Sequence, residues 1–278
     1  MSSRLWCGAL LASLLLTGCA DTGPSLASRT ATALQLASSR GWAESRLHAK
    51  GFDLALFKPA VLVDQQQLTI YIEGDGLAFL SPDVISADPT PLQPIALELA
   101  LAAPLDPNGN VVYLARACQY TGTVGGCRPE YWTTKRFAPE VIAAMDDAVS
   151  SIKASSGATR LTLVGYSGGA TVAALLAERR HDVVRLVSVA GNLSTRRWIE
   201  LHGLAPLSGS LDPYDERGLL AGISQWHFVG SSDSVVPARL TEQFAAGMQH
   251  AKVIPIAGFD HVCCWVERWP DLWNSIGQ

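Results

Sequence analysis

An α/β fold, with a mostly parallel sheet and helices on both of its faces, is the class this sequence predicts. Three observations carry that reading. Short runs rich in β-branched and aromatic residues recur along the chain, and stretches of helical spacing separate them. One such run, 160–164, stops abruptly at Gly165-Tyr166-Ser167-Gly168-Gly169, and the helix-forming segment 170–177 follows at once. The length, 278 residues with 48% hydrophobic and 17% charged content, suits one undivided domain of this class.

The elements follow in order. Residues 21–39 are rich in Ser, Thr and Ala and short of large apolar side chains, which suits a tether or a loosely held helix. The globular part is expected from about Gly41, giving a division into 19–40 as tether and 41–278 as domain. Segments 52–57 and 68–72 read as strands, the second ending in Glu73-Gly74-Asp75-Gly76. Helical spacing over 92–101 leads through the turn-like Pro107-Asn108-Gly109 into a strand at 111–115. Helical spacing returns over 137–153, with Pro139 tolerated in the first turn. After the serine-bearing turn, 183–189, 225–229 and 252–256 are three further strands. Strands alternating with helices imply a parallel sheet covered on both sides. The connection 192–222, with Trp198, His202, Pro206, Pro213 and Tyr214, is long enough to be a small cap over the carboxyl edge. Trp265, Trp269 and Trp273 recur at helical spacing and read as one packed helix face. The chain has no internal repeat.

A formal charge of −4 without a Lys/Arg cluster gives no electrostatic footprint for nucleic acid. Arg4 precedes an apolar run over 5–16, too short to span a bilayer, that ends in Leu16-Thr17-Gly18-Cys19. This resembles a bacterial lipoprotein signal. The resemblance implies that 1–18 are removed, that Cys19 is the lipid attachment site, and that the chain is held to a membrane through that anchor. Ala20 stands where an Asp would imply inner-membrane retention, so the expectation is the outer membrane of the cell envelope, facing the periplasm. Cys7 would leave with the signal, and the four remaining cysteines would then meet an oxidising compartment. Three pairings are open to them. Cys118 and Cys127 flank a loop holding Gly122, Gly125 and Gly126 and are the preferred pair; Cys263 and Cys264 form either a vicinal disulfide or separate bonds and thiols. Cys-x8-Cys with a distant Cys-Cys lacks the short repeated spacings of a structural zinc site.

A strand-turn-helix with Ser167 at its apex exposes the hydroxyl, and the glycines remove Cβ atoms where strand and helix nearly touch. The helix that opens there aims unpaired N–H groups and a positive dipole end at the same spot. A serine hydroxyl needs a base and a group to orient that base. Asp233 lies in a Gly/Ser loop just after the strand at 225–229, and His261 lies in a Gly-containing loop just after the strand at 252–256. Loops after parallel strands emerge at one carboxyl edge, so the three side chains can converge. Asp260 is an alternative acid beside His261, but neighbouring loop side chains point apart. Asp212 and Asp215 read as solvated turn residues. His48, His181 and His250 read as surface positions, His227 as packed within a strand, and His202 as a substrate contact in the cap.

These features resemble the α/β-hydrolase superfamily of serine esterases and lipases over about 52–278, with Ser, Asp and His in the family order. The resemblance implies that Ser167 is the nucleophile, His261 the general base and then acid, and Asp233 the orienting carboxylate. It also places the oxyanion hole at the backbone N–H of Gly168 together with that of Asp75 or Gly76. Glu73-Gly74-Asp75-Gly76 departs from the His-Gly-Gly-Gly of many lipases. The carboxylates of Glu73 and Asp75 must therefore point away from the developing anion or be neutralised by a partner such as Arg116. The expected reaction is two-step acyl transfer on a small-molecule or lipid-like acyl substrate, without metal or organic cofactor. A carboxylic ester leads as substrate. The same machinery would also serve an amidase, peptidase, thioesterase or acyltransferase, and a catalytically silent binding scaffold is the reading from another class. Leu77, Phe79, Tyr120, Trp132 and the cap from 198 to 214 are the expected pocket walls.

Overall fold

Side chains that alternate across the central strands are mostly apolar on both faces, so the middle of the sheet is buried on both sides and helices must cover it. The computed structural model describes residues 24–104, 109–122 and 124–277. The signal at 1–18, Cys19, the start of the tether and most of the turn at Pro107-Asn108-Gly109 lie outside the described residues. In chain order the first elements are α1 (Leu26–Ser38), β1 (Trp42–Ala49), β2 (Phe52–Pro59), β3 (Gln67–Ile72), the hairpin β4 (Phe79–Ser81) and β5 (Val84–Ile85), α2 (Ile95–Ala102) and β6 (Gly109–Leu114). They are followed by α3 (Pro139–Ser156), β7 (Arg160–Tyr166), α4 (Gly168–Ala177), β8 (Val183–Val189) and α5 (Thr195–His202). The chain closes with β9 (Ser224–Gly230), α6 (Ala238–Ala245), β10 (Ala251–Ile256) and α7 (Trp265–Asn274).

The main sheet has the order β1-β2-β6-β3-β7-β8-β9-β10. β1 with β2 and β2 with β6 are antiparallel, and all the other neighbours are parallel. On the central strands the two faces separate cleanly. Leu68, Ile70 and Ile72 of β3 and Leu161 and Leu163 of β7 pack with Val141, Ile142 and Met145 of α3 and Leu175 of α4. Tyr71, Val164 and Tyr166 point the other way and pack with Ile95, Leu97 and Leu99 of α2 and Trp265 and Trp269 of α7. The tryptophan spacing at the C-terminus is thus a packed helix face. Trp269 is fully buried, its Nε1–H donating to the Tyr71 hydroxyl at 2.9 Å.

Every strand anticipated from the sequence is present, but β1 was not anticipated. Glu44, Arg46 and His48 interrupt its apolar residues, as suits the edge strand it is. α2 begins at Ile95 rather than near residue 92, because Pro94 takes the N-cap position and a proline disfavours helical backbone before it. Leu92 is thereby left in an exposed loop. The segment expected as a tether contains α1, which is docked: Arg29, Ala33 and Ala37 are buried. Cys118 and Cys127 form a disulfide with Cα atoms 5.4 Å apart, and Cys263 is bonded to Cys264.

Candidate active site

Ser167 sits between β7 and α4 with φ +50° and ψ −121°, a region that a non-glycine residue occupies only when its surroundings force it there. Its N–H donates to the Val189 carbonyl at 3.0 Å, and its own carbonyl accepts from the N–H of Ala170 and of Asn192 at 3.1 Å each. The turn is this tight because Gly165 and Gly169 carry no side chain: a Cβ on Gly165 would strike the Ala170 backbone, and one on Gly169 the Ile72 carbonyl.

His261 follows β10 and brings its Nε2 to 3.0 Å from Ser167 Oγ, while its Nδ1 lies 2.9 Å from Asp233 Oδ2. Asp233 follows β9, and its side chain is fully buried, with Oδ1 accepting the N–H of Val235 and of Val236 at 2.8 Å each. Facing a carboxylate oxygen, Nδ1 carries the ring proton, which leaves the Nε2 lone pair directed at the serine hydroxyl. The structure thus brings Ser167, His261 and Asp233 together from three loops at the carboxyl edge.

The rivals lie elsewhere. Asp260 is exposed and accepts the N–H of Val262 and Cys263 at 2.8 and 2.7 Å. Asp215 is exposed, but Asp212 is buried and holds the first turn of α5 through the N–H of Thr195 and Arg196, which corrects its reading as a solvated turn residue. His48, His181 and His250 are exposed. His227 is fully buried between Ser188 Oγ at 2.8 Å and Gln225 Oε1 at 3.2 Å, and burial lowers its pKa to about 3.

The segment after β3 carries the two carboxylates in question. Asp75 is gripped by Arg116 and, at 2.6 Å, by Arg136. Burial alone would raise its pKa, but the charges of Arg136 and Arg116 outweigh that and hold it below the ordinary range. Glu73 is fully enclosed and turns toward the start of α2, accepting from the Gly74 N–H at 2.8 Å, the Tyr113 hydroxyl at 3.1 Å and the Ala96 N–H at 3.4 Å. Burial pushes its pKa up to about 7 against the opposing pull of those bonds. Gly76, at φ +66°, packs so close to the Pro89 carbonyl that any side chain there would collide with it. Gly168 has the same relation to the Asp75 carboxylate. Among the described residues no acceptor takes the N–H of Asp75, Gly76 or Gly168.

A cleft of about 360 Å³ opens over Ser167 and His261, lined by the segment from Gly74 to Leu77 and by Pro91, Leu92, Ile95 and Val262. Of the expected walls only Leu77 lines it. Phe79 is exposed on the β4–β5 hairpin, Tyr120 is buried beside Phe57, and Trp132 is buried with its Nε1–H on the Ser86 carbonyl at 3.0 Å. None of residues 192–222 borders the cleft, so the expected cap does not roof it. Trp198 and His202 both bond the Val235 carbonyl, which ties that segment to the Asp233 loop and takes His202 away from substrate.

Three supporting residues escaped the sequence reading. Arg136 pairs with an aspartate 61 residues away, and Gln119 holds the Gly74 carbonyl at 2.9 Å from the loop beyond β6. No local pattern marks either contact. Tyr166, inside the Gly-x-Ser-x-Gly motif, bonds the His261 carbonyl.

No family model and no curated protein matches the chain. Solved structures do. An esterase from Pyrococcus furiosus superposes with a TM-score of 0.59 at 11% identity, over 86% of this chain and 91% of that one. An α/β serine hydrolase without a lid from Xanthomonas campestris gives 0.53 at 16% identity, over 84% and 91%. A membrane phospholipase A described as a bacterial virulence factor gives 0.52 at 16% identity, over 90% and 89%. The strand order, the helices on both faces and these likenesses together establish that the chain has the α/β-hydrolase fold.

Proposed function

We propose that the protein is a serine hydrolase of carboxylic esters, held to the bacterial envelope through lipid on Cys19. The observation that carries the reading is the unbroken relay from Ser167 Oγ through His261 to Asp233, at 3.0 and 2.9 Å. In this reading Ser167 Oγ attacks the ester carbonyl carbon as its proton passes to His261 Nε2, and Asp233 keeps the imidazole in the required tautomer. The N–H groups of Gly168 and of Asp75 or Gly76 take the charge that develops on the carbonyl oxygen. His261 then returns the proton to the departing alcohol oxygen, leaving an acyl group on Ser167. Water adds to that acyl carbon with His261 as base, and collapse releases the acid and restores the serine.

Arg116 and Arg136 neutralise Asp75, and Glu73 is turned toward α2, so neither carboxylate opposes the oxyanion. The apolar wall of Leu77, Pro91, Leu92, Ile95 and Val262 suits an acyl chain better than a charged group. The box Leu16-Thr17-Gly18-Cys19 supports lipid anchoring, and Ala20 in place of an Asp supports the outer membrane. The direct test is hydrolysis of a short-chain activated ester by Ser167→Ala. Turnover is expected to fall by about 10⁴-fold or more with unchanged thermal unfolding, and undiminished turnover would overturn the assignment.

A further inference from the structure

The rim of the cleft carries an apolar surface that the hydrolytic chemistry does not use. Phe79, Leu80, Val84 and Ile85 on the β4–β5 hairpin, which begins two residues beyond the cleft residue Leu77, and Leu92 and Val262 of the cleft itself are each between 40% and 63% exposed. Four large apolar side chains exposed together on one short hairpin are unlike the scattered exposed residues of an ordinary surface. The grouping follows from the chain path. The hairpin springs from Ala78 and Ser86, paired through the Ser86 N–H and the Ala78 carbonyl at 3.0 Å, directly after the cleft residue Leu77. Leu92 and Val262 themselves line the cleft.

The position of α1 says what covers this rim. β1 is parallel to β6, because each is antiparallel to β2, so β1 starts at the amino edge of the sheet. α1 leads into that start and therefore runs away from the carboxyl edge. Its first residue, Leu26, lies beside Gly122 in the loop beyond β6, and Arg29 donates to the carbonyls of Asp88 and Thr90, just before Pro91 and Leu92. The chain therefore enters the domain at the edge where the cleft opens. Six residues lie between Cys19 and Leu26, so a lipid on Cys19 would hold this edge within at most about 25 Å of the bilayer. Segments 76–95 and 257–266 contain no Lys or Arg, so contact with lipid would rest on apolar insertion rather than on anionic headgroups.

We propose that this rim docks on the bilayer that holds the anchor, with Phe79, Leu80, Val84 and Ile85 set against acyl chains and the exposed Asp83 carboxylate of the hairpin turn kept at headgroup level, and that the cleft draws its ester from membrane lipid. The docking rests on the lipid proposed for Cys19, and the choice of substrate rests in addition on the hydrolase reading above. The test uses the full lipidated chain carrying Ser81→Cys, labelled at the hairpin with an environment-sensitive fluorophore and reconstituted in zwitterionic phosphatidylcholine vesicles. Brominated acyl chains are expected to roughly halve its emission, and unquenched emission would overturn the docking. An unquenched hairpin in a dimer that Leu80→Asp disrupts would assign the rim to a second copy and overturn it equally. In the same vesicles, Leu80→Asp with Ile85→Asp is expected to lower the hydrolysis of bilayer phospholipid by about tenfold while leaving a water-soluble short ester unaffected. Equal phospholipid rates in variant and parent would overturn the substrate claim. Loss of both activities in the parent, with quenching retained, would remove the hydrolase reading and leave the docking in place.

Discussion

The Tyr166 hydroxyl donates to the carbonyl oxygen of His261 at 3.0 Å. The residue before Ser167 thus holds the loop that carries His261, and the two rings lie with centroids 5.5 Å apart. Tyr166→Phe keeps the ring contact and removes the bond. One neutral hydrogen bond contributes about 0.5–1.5 kcal/mol net, so kcat on a short ester is expected to fall about three- to tenfold with KM little changed. Steady-state kinetics beside a thermal melt check this, and an unchanged kcat would show that the loop holds without it.

Asp75 is the counterion for two arginines that are only 5% and 8% exposed. Asp75→Asn leaves both cations without their anion close to Ser167. Removing one partner of a buried ion pair costs about 3–5 kcal/mol, and with the Asp75 side chain 26% exposed a value near the lower end is expected from chemical denaturation. Activity should fall further than stability accounts for, because the same side chain orients the segment proposed to supply the oxyanion donors.

The serine turn was legible in the sequence because its constraints are local: a strand, a helix and glycines where the backbones touch. The Asp233 and His261 loops were legible because each follows an apolar run, and parallel topology sends such loops to one edge. What escaped depends on side-chain direction or distant pairing. Trp132 and Tyr120 are aromatic residues of the loop beyond β6, yet both pack inward, and only coordinates separate a cleft wall from a core residue. Arg136 is anonymous until Asp75 is seen beside it. β1 escaped because polar side chains on an edge strand hide its apolar period.

Glu73 gives the molecule a stability change with pH. Its carboxyl is raised by burial from 4.5 to about 7, so between these values the folded chain keeps a proton that the unfolded chain has lost. Stability therefore falls as pH rises through that window, by on the order of 3 kcal/mol in all. Glu73→Gln, neutral at every pH, is expected to flatten this slope in urea denaturation measured from pH 4.5 to 7.5. An unaltered slope would contradict the assignment.

His227 acts in the opposite direction. Gln225 Oε1 can only accept, so His227 Nε2 carries the proton of the neutral ring and Nδ1 accepts from the Ser188 hydroxyl, while burial disfavours the charged ring. With its pKa lowered from 6.5 to about 3, the unfolded chain binds a proton that the folded chain refuses. Stability is lost as pH falls from about 6.5 toward 3. His227→Gln should remove that acid sensitivity while leaving the Glu73 slope, and the two variants measured together separate the contributions.

The central claim is that Ser167 is a nucleophile made reactive by His261, and covalent labelling tests it most directly. A fluorophosphonate probe followed by peptide mass spectrometry is expected to modify Ser167 alone in the parent chain and to leave Ser167→Ala unmodified, with labelling strongly slowed in His261→Ala. An unlabelled parent, or equal labelling of the parent and Ser167→Ala, would contradict it.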